Sequence, residues 1–306
     1  MKKKISNIIF FLILIIILIY TFYFTEYDFN SIVSNYDTLT YLILLVVFFL
    51  SFILGTLFLK VNLSIFDKKT SILMLFCYTQ ASNFLNYLPM KAGVILLGKH
   101  LKDKISLNYK DYFVTIFVNY FYVTIYSLLF FVSSIYLSNR IAIVEKITIN
   151  SKVIYSLPII AIIVIMFLFF TNLTDKLKIV SQKLKNLSIK LRNPFLVLNY
   201  TTLSLLQIIF YSIRMYISFK ILGKPISFID SITIGSILNF TFLISITPGG
   251  IGMKEGITSI TTYLLYGDPE IGVIASLFDR TFNFILTMFS GLLSLIIIKR
   301  DNLNQN

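Results

Sequence analysis

Long apolar runs alternate along the chain with short polar loops. Six of them are uninterrupted: residues 5–24, 40–59, 111–137, 153–170, 195–219 and 271–298. About twenty apolar residues in a helix cover the roughly 30 Å of a bilayer's hydrocarbon core, so each run predicts a membrane-crossing helix. The runs are continuous and not alternating, which argues against a β-barrel. Two further apolar segments, 71–97 and 228–266, are broken in the middle, the first at Pro89 and the second at Pro248-Gly249-Gly250.

The loop charges assign sides to these elements. Lys2, Lys3 and Lys4 put the N-terminus in the cytoplasm. The loop EYDFNSIVSNYD (26–37) has three acids and no Lys or Arg, which fits the outside; Lys60, Lys68 and Lys69 fit the inside. Segment 71–97 then leads to Lys99, Lys102, Lys104 and Lys110, a second cytoplasmic signal, so it predicts a re-entrant helical hairpin. KLKIVSQKLKNLSIKLR (176–192) carries six basic residues, with Leu177, Val180, Leu184, Leu187 and Leu191 on one helical face. It reads as an amphipathic cytoplasmic helix over 174–193, with a coiled-coil partner helix as the other reading of that spacing. The last span ends at Lys299-Arg300, again inside, so segment 228–266 starts and ends outside; Lys220 and Lys224 run against that assignment.

The expected fold is therefore an all-α polytopic membrane protein, a single integral membrane domain in the cytoplasmic membrane with both termini inside. About six full spans and two re-entrant hairpins form two halves, 1–138 and 153–300, of opposite orientation: an inverted-topology repeat. Asn83-Phe84, Pro89 and Met90-Lys91-Ala92-Gly93 echo Asn239-Phe240, Pro248 and Met253-Lys254-Glu255-Gly256.

Composition narrows the chemistry. Of 306 residues 57% are hydrophobic and 13% charged, outside the range of soluble domains. The net charge of +13 lies in short loops, as topology and anionic headgroups require, so nucleic acid is not an expected partner. A cleaved signal peptide is not expected, since TFYFT (21–25) offers no small-residue cleavage site. Cys77 is single and reads as a small apolar residue, and His100 has no ligand companions, so neither a metal nor a cofactor is expected.

Non-helical backbone at membrane depth survives only when packed in protein or lining a polar cavity. The breaks at Pro89 and at 247-TPGGIGMKEGITSI-260 are therefore the candidate site. A helix restarting near Gly252 turns free N–H groups toward such a cavity, which favours an anion. Lys254 and Glu255 follow in its first turn, where a charge costs about 2.5–3.5 kcal/mol at the bilayer centre. The alternative is that the two residues pair with other helices and fix the fold, with Gly249, Gly250 and Gly252 allowing close contact. Asp279 and Arg280 are about 100° apart on the last span and need not pair with each other; Arg280 suits a phosphate oxygen pair. Arg214 is a further candidate, but its place near a helix end predicts snorkelling to the interface. Lys91 holds the matching place in the first hairpin, either as a ligand group or reaching the cytoplasmic interface. Asn83 and Asn86 share a face and bond either a headgroup or a neighbouring helix. No nucleophile, acid–base or dyad constellation is visible, so catalysis is not expected.

Pro248-Gly249-Gly250-Ile251-Gly252-Met253-Lys254-Glu255 resembles the P-G-G-x-G-x-R-E signature of the lysylphosphatidylglycerol synthase transmembrane-region family, and Leu88-Pro89-Met90-Lys91-Ala92-Gly93 resembles its L-P-x-R-x-G-E element. Arg280 falls where that family carries an arginine. Lys254 stands for the usual arginine, and Val94 for the expected acid. The resemblance implies a flippase-like protein, without the soluble aminoacyl-transferase domain of multidomain members. It would translocate an anionic phospholipid or a polyprenyl-phosphate-linked saccharide. The rival expectation is a non-transporting membrane partner of a cell-envelope glycosyltransferase.

Overall fold

The computed structural model describes residues 38–88, 92–138, 193–244, 248–250 and 252–304. These form eight α-helices: α1 (Thr38–Ser64), α2 (Ile72–Leu85), α3 (Ala92–Ile105), α4 (Tyr109–Leu137), α5 (Pro194–Ile221), α6 (Phe228–Ile244), α7 (Met253–Tyr266) and α8 (Pro269–Asn304). A 3₁₀ turn, Pro248–Gly250, lies between α6 and α7. Helices α1, α4, α5 and α8 are each long and apolar enough to cross a membrane. At about 1.5 Å per residue they exceed the hydrocarbon thickness. They match four of the six expected spans. The spans expected over 5–24 and 153–170, and the amphipathic helix over 174–193, fall outside the described residues apart from Asn193.

Local chemistry sets the boundaries. Ser71 caps α2 by accepting from the Met74 amide, 3.3 Å. Asn193 caps α5 by accepting from the Phe195 amide, 3.0 Å, with Pro194 in the first turn, where its missing N–H costs nothing. Gly267, left-handed at φ 76°, ends α7.

The shorter helices come in two hairpins. At 14 residues each, α2 and α3 reach only about 21 Å, too short to cross. They fold back on each other: the Tyr78 and His100 rings stack at 5.2 Å. A Cβ on Gly93 would sit 1.8 Å from the Ser82 carbonyl oxygen, so only glycine permits this approach. Helices α6 and α7 likewise return to one place, where the Tyr266 hydroxyl donates to the Asp230 carboxylate.

Helix α8 relates the two hairpins. It begins at Pro269, just after the end of α7, and near its far end Asp301 meets Lys104 of α3 at 3.4 Å. The open end of hairpin α6–α7 and that of hairpin α2–α3 therefore lie at opposite ends of α8.

The first arms of the two hairpins pack on long helices: α2 on α8 and α1, and α6 on α4 and α5. Helix α1 also packs on α5. Small residues let these backbones approach: Gly291 faces Phe84, and Gly235 faces Ser212. Hydroxyls join across the same seams, with Thr233 donating to Ser134 at 2.8 Å and Tyr200 to Asn62 at 2.6 Å. Phe49, Phe117, Phe195 and Phe289 point outward, as lipid-facing side chains do.

Candidate functional site

The two hairpin tips meet beside Arg280, Asn283 and Phe284 in the first half of α8. Gly249, Gly250 and Gly252 take φ values of 60°, 74° and 83°, a left-handed backbone that side-chain-bearing residues rarely adopt. This coil lets the Gly249 amide donate to the Asn86 carbonyl in the other hairpin, 3.2 Å. The Tyr87 ring lies against Gly249, 3.1 Å from where a Cβ would stand. The Asn283 amide of α8 donates to the Tyr87 hydroxyl at 2.9 Å, and the Phe284 ring meets Tyr87 edge-on at 4.9 Å. Asn86 also closes its own hairpin, its Oδ1 accepting from the Val94 amide at 3.1 Å.

Five charged side chains gather at this level. Arg280 donates through Nη1 to Glu255 Oε1 and through Nη2 to the Gly249 carbonyl, 2.6 Å. The Gly252 amide donates to the other oxygen of Glu255, 2.8 Å, the N3-to-cap half of a capping box. One residue earlier on α8, Asp279 accepts two bonds from Arg214 of α5, Nε to Oδ1 at 2.8 Å and Nη2 to Oδ2 at 2.6 Å. The Arg214 guanidinium carbon stands 3.9 Å from the centroid of the Phe48 ring and 5.1 Å from that of Tyr211. Lys254 Nζ lies 5.6 Å from the Tyr211 centroid, within cation–π range. Lys254 also feels the charges of Arg280, Asp279, Arg214 and Glu255. Three cations against two carboxylates leave these five with one net positive charge.

The expected site residues are thus mostly brought together, with corrections. Lys254, Glu255, Arg280, Gly249, Gly250 and Gly252 form one cluster. Arg214 joins it and does not snorkel: it is 8% exposed, because Asp279 supplies both oxygens of a forked acceptor inside the protein. Arg280 does not present its guanidinium edge to an open cavity; Glu255 and Gly249 occupy both terminal nitrogens. The Gly252 N–H expected to face an anion is taken by Glu255. Asn83 sits half-buried in the last turn of α2, outside the ion-pair network. Asn86 bonds protein, in line with the helix-contact alternative. Lys91 lies outside the described residues.

Sequence reasoning missed the roles of Asp279, Tyr87 and Tyr211. Asp279 stands beside Arg280 in the sequence, but nothing in a 65-residue separation singles out Arg214 as its partner. Among the described residues, no trio of His, Cys, Asp or Glu gathers where it could hold a metal ion.

Chemically, the cluster holds positive charge among left-handed glycines and aromatic rings, and its charge pairs connect α5, hairpin α6–α7 and α8. A family model for the lysylphosphatidylglycerol synthase TM region matches residues 7–291. No curated protein and no solved structure matches the chain. With nearly the whole chain matched, and with its helices long and apolar enough to cross a bilayer, this is a multi-pass membrane protein of the lysylphosphatidylglycerol synthase transmembrane-region family.

Proposed function

We propose that this protein translocates an anionic phospholipid or a polyprenyl-phosphate-linked saccharide across the membrane, without chemistry on the lipid itself. In this reading the two hairpins are re-entrant from opposite faces, and the halves are an inverted-topology repeat, an arrangement common in transporters. The observation that carries it is the charged cluster where the tips meet, beside Asp279 and Arg280 in the first half of α8. Burying five charges at that depth is costly, and such groups mark substrate paths in membrane proteins. Lys254 would receive the phosphate beside the Arg280–Glu255 pair, and alternating exposure of the tips would carry the headgroup from one side to the other.

The test is a proteoliposome assay with fluorescent anionic lipids, comparing wild type with Lys254→Ala at matched, monodisperse reconstitution. Loss of lipid movement in the variant is expected. Equal rates for the two proteins on every anionic lipid tried overturn the proposal.

A second reading draws on the completeness of the ion pairs, in which both arginines are bonded to protein. A non-transporting partner of an envelope glycosyltransferase would use such pairs only to fix its helices. Lys254→Ala would then weaken folding or complex formation while lipid binding stays as in wild type.

A further inference from the structure

A polar atom buried within a membrane protein needs a partner, because neither lipid tails nor an apolar core can offer a hydrogen bond. Among the described residues, seven neutral side chains bury an oxygen or nitrogen that has no hydrogen-bond partner. One, Gln80, is on α2. The other six, Asn119, Ser127, Ser204, Ser218, Ser236 and Asn239, lie on α4, α5 and α6, three helices that pack on one another. A serine can return its hydroxyl to the carbonyl one turn back, as Ser212 does to Ile208 at 2.8 Å. None of these four serines does so, and the Asn239 amide nitrogen is likewise unmet.

Three of the six come to about one level. Helix α4 starts beside α3, where Tyr112 lies against Gly98, and its far end meets the start of α6 through the Ser134–Thr233 bond, so the two helices run antiparallel. From that bond, seven residues back along α4 reach Ser127 and six forward along α6 reach Asn239, each about 10 Å away. Gly235 of α6 faces Ser212 of α5; eight residues back along α5 stands Ser204, within roughly one turn of the same level. All three side chains are buried.

We infer that water is bound in the seam between α4, α5 and α6, held by Asn239 Nδ2 and the hydroxyls of Ser127 and Ser204. This internal hydration site uses none of the ion-pair residues. It is uncharged and offers both donors and acceptors, which suits water, and a buried water makes about three hydrogen bonds. The inference stands independently of lipid translocation.

The experiment is radiolytic hydroxyl-radical footprinting of the full chain in nanodiscs, read by mass spectrometry. Radicals form from water held inside a protein, so buried side chains beside that water are oxidised. Val123 and Ile208, one turn from Ser127 and Ser204 on the same helices, report on the seam; Leu44 and Leu75, buried on α1 and α2, are the controls. Oxidation of both reporters at least threefold above the controls is expected, falling to the control level in the double variant Ser127→Ala/Ser204→Ala. That variant should also melt below wild type, because the water loses two of its partners. Reporters oxidised no faster than the controls overturn the inference, as does oxidation unchanged in the double variant. Melting at or above wild type overturns it too, since removing dry orphaned hydroxyls is neutral or stabilising. Each of these results leaves the proposal for the hairpin tips untouched.

Discussion

Arg214 and Asp279 share a forked ion pair, 2.8 and 2.6 Å long, between two helices 65 residues apart in sequence. Both side chains are almost wholly buried, at 9% and 5% exposed. Asp279→Asn leaves a buried guanidinium with half its partner, a loss of about 3–5 kcal/mol for comparable buried pairs. We expect a much lower thermal transition for the detergent-solubilised variant, and a similar drop for Arg214→Met. The double variant Arg214→Met/Asp279→Leu should recover most of the loss, because both charges leave together.

The left-handed coil at the tip predicts a graded series of glycine substitutions. Gly250→Ala and Gly252→Ala should each cost about 1–2 kcal/mol from the backbone alone. Gly249→Ala should cost more, since its Cβ also meets the Tyr87 ring. Gly256→Ala, in a helix with open space around it, should be neutral or stabilising by up to about 1 kcal/mol. Thermal unfolding of the four variants in one detergent checks the order.

Close helix contact predicts a second contrast. A Cβ at Gly291 would lie 2.4 Å from the Phe84 Cβ, whereas at Gly55 it would lie 3.5 Å from Thr79. Gly291→Ala should force α2 off α8 at a cost of about 1–3 kcal/mol, while Gly55→Ala is tolerated. Folded yield after purification, compared between the two, decides this.

The arrangement about α8 predicts sidedness. With Cys77 replaced by Ala, single cysteines at Lys104 and Asp301 should react with an impermeant maleimide from the same side of the membrane. A cysteine at Asp268, at the other end of α8, should react only from the opposite side. Labelling of all three from one side would show that α8 does not cross.

Much of this structure was legible in the sequence because its strongest determinants are one-dimensional. An apolar run of sufficient length sets the starts of α1, α4, α5 and α8 closely, while α1 and α8 run on past the apolar stretch to Ser64 and Asn304. Prolines and glycines mark where α2 and α6 must stop, since Pro248–Gly250 cannot continue a helix. The gathering of Lys254, Glu255 and Arg280 also followed from the expense of charge at depth. Azimuth was not legible. Arg214 sits near a helix end, which suggests snorkelling, but the direction of its side chain depends on which helix stands beside it. The same limit concealed the bonding of the Asn86 carbonyl to Gly249 and of Tyr87 to Asn283. Arg280 was expected to await a phosphate, because the sequence shows the donor without the carbonyl of Gly249 folded back on it.

The meeting of the tips also shows where the molecule would part. Hairpin α6–α7 is riveted to α8 by Arg280, with its carboxylate and carbonyl partners, and α8 is riveted to α5 by Asp279. Across the seam, the tip of hairpin α2–α3 is joined by neutral bonds, Gly249 to Asn86 and Asn283 to Tyr87, each worth about 0.5–1.5 kcal/mol. Charge-assisted bonds are roughly twice as strong as neutral ones. Parting the tips alone, Asn86 from Gly249 and Tyr87 from Asn283, would leave the Arg214–Asp279 and Arg280–Glu255 pairs whole and cost about two ordinary hydrogen bonds, while Lys104–Asp301 and the packing of α2 on α8 hold the rest of that hairpin in place.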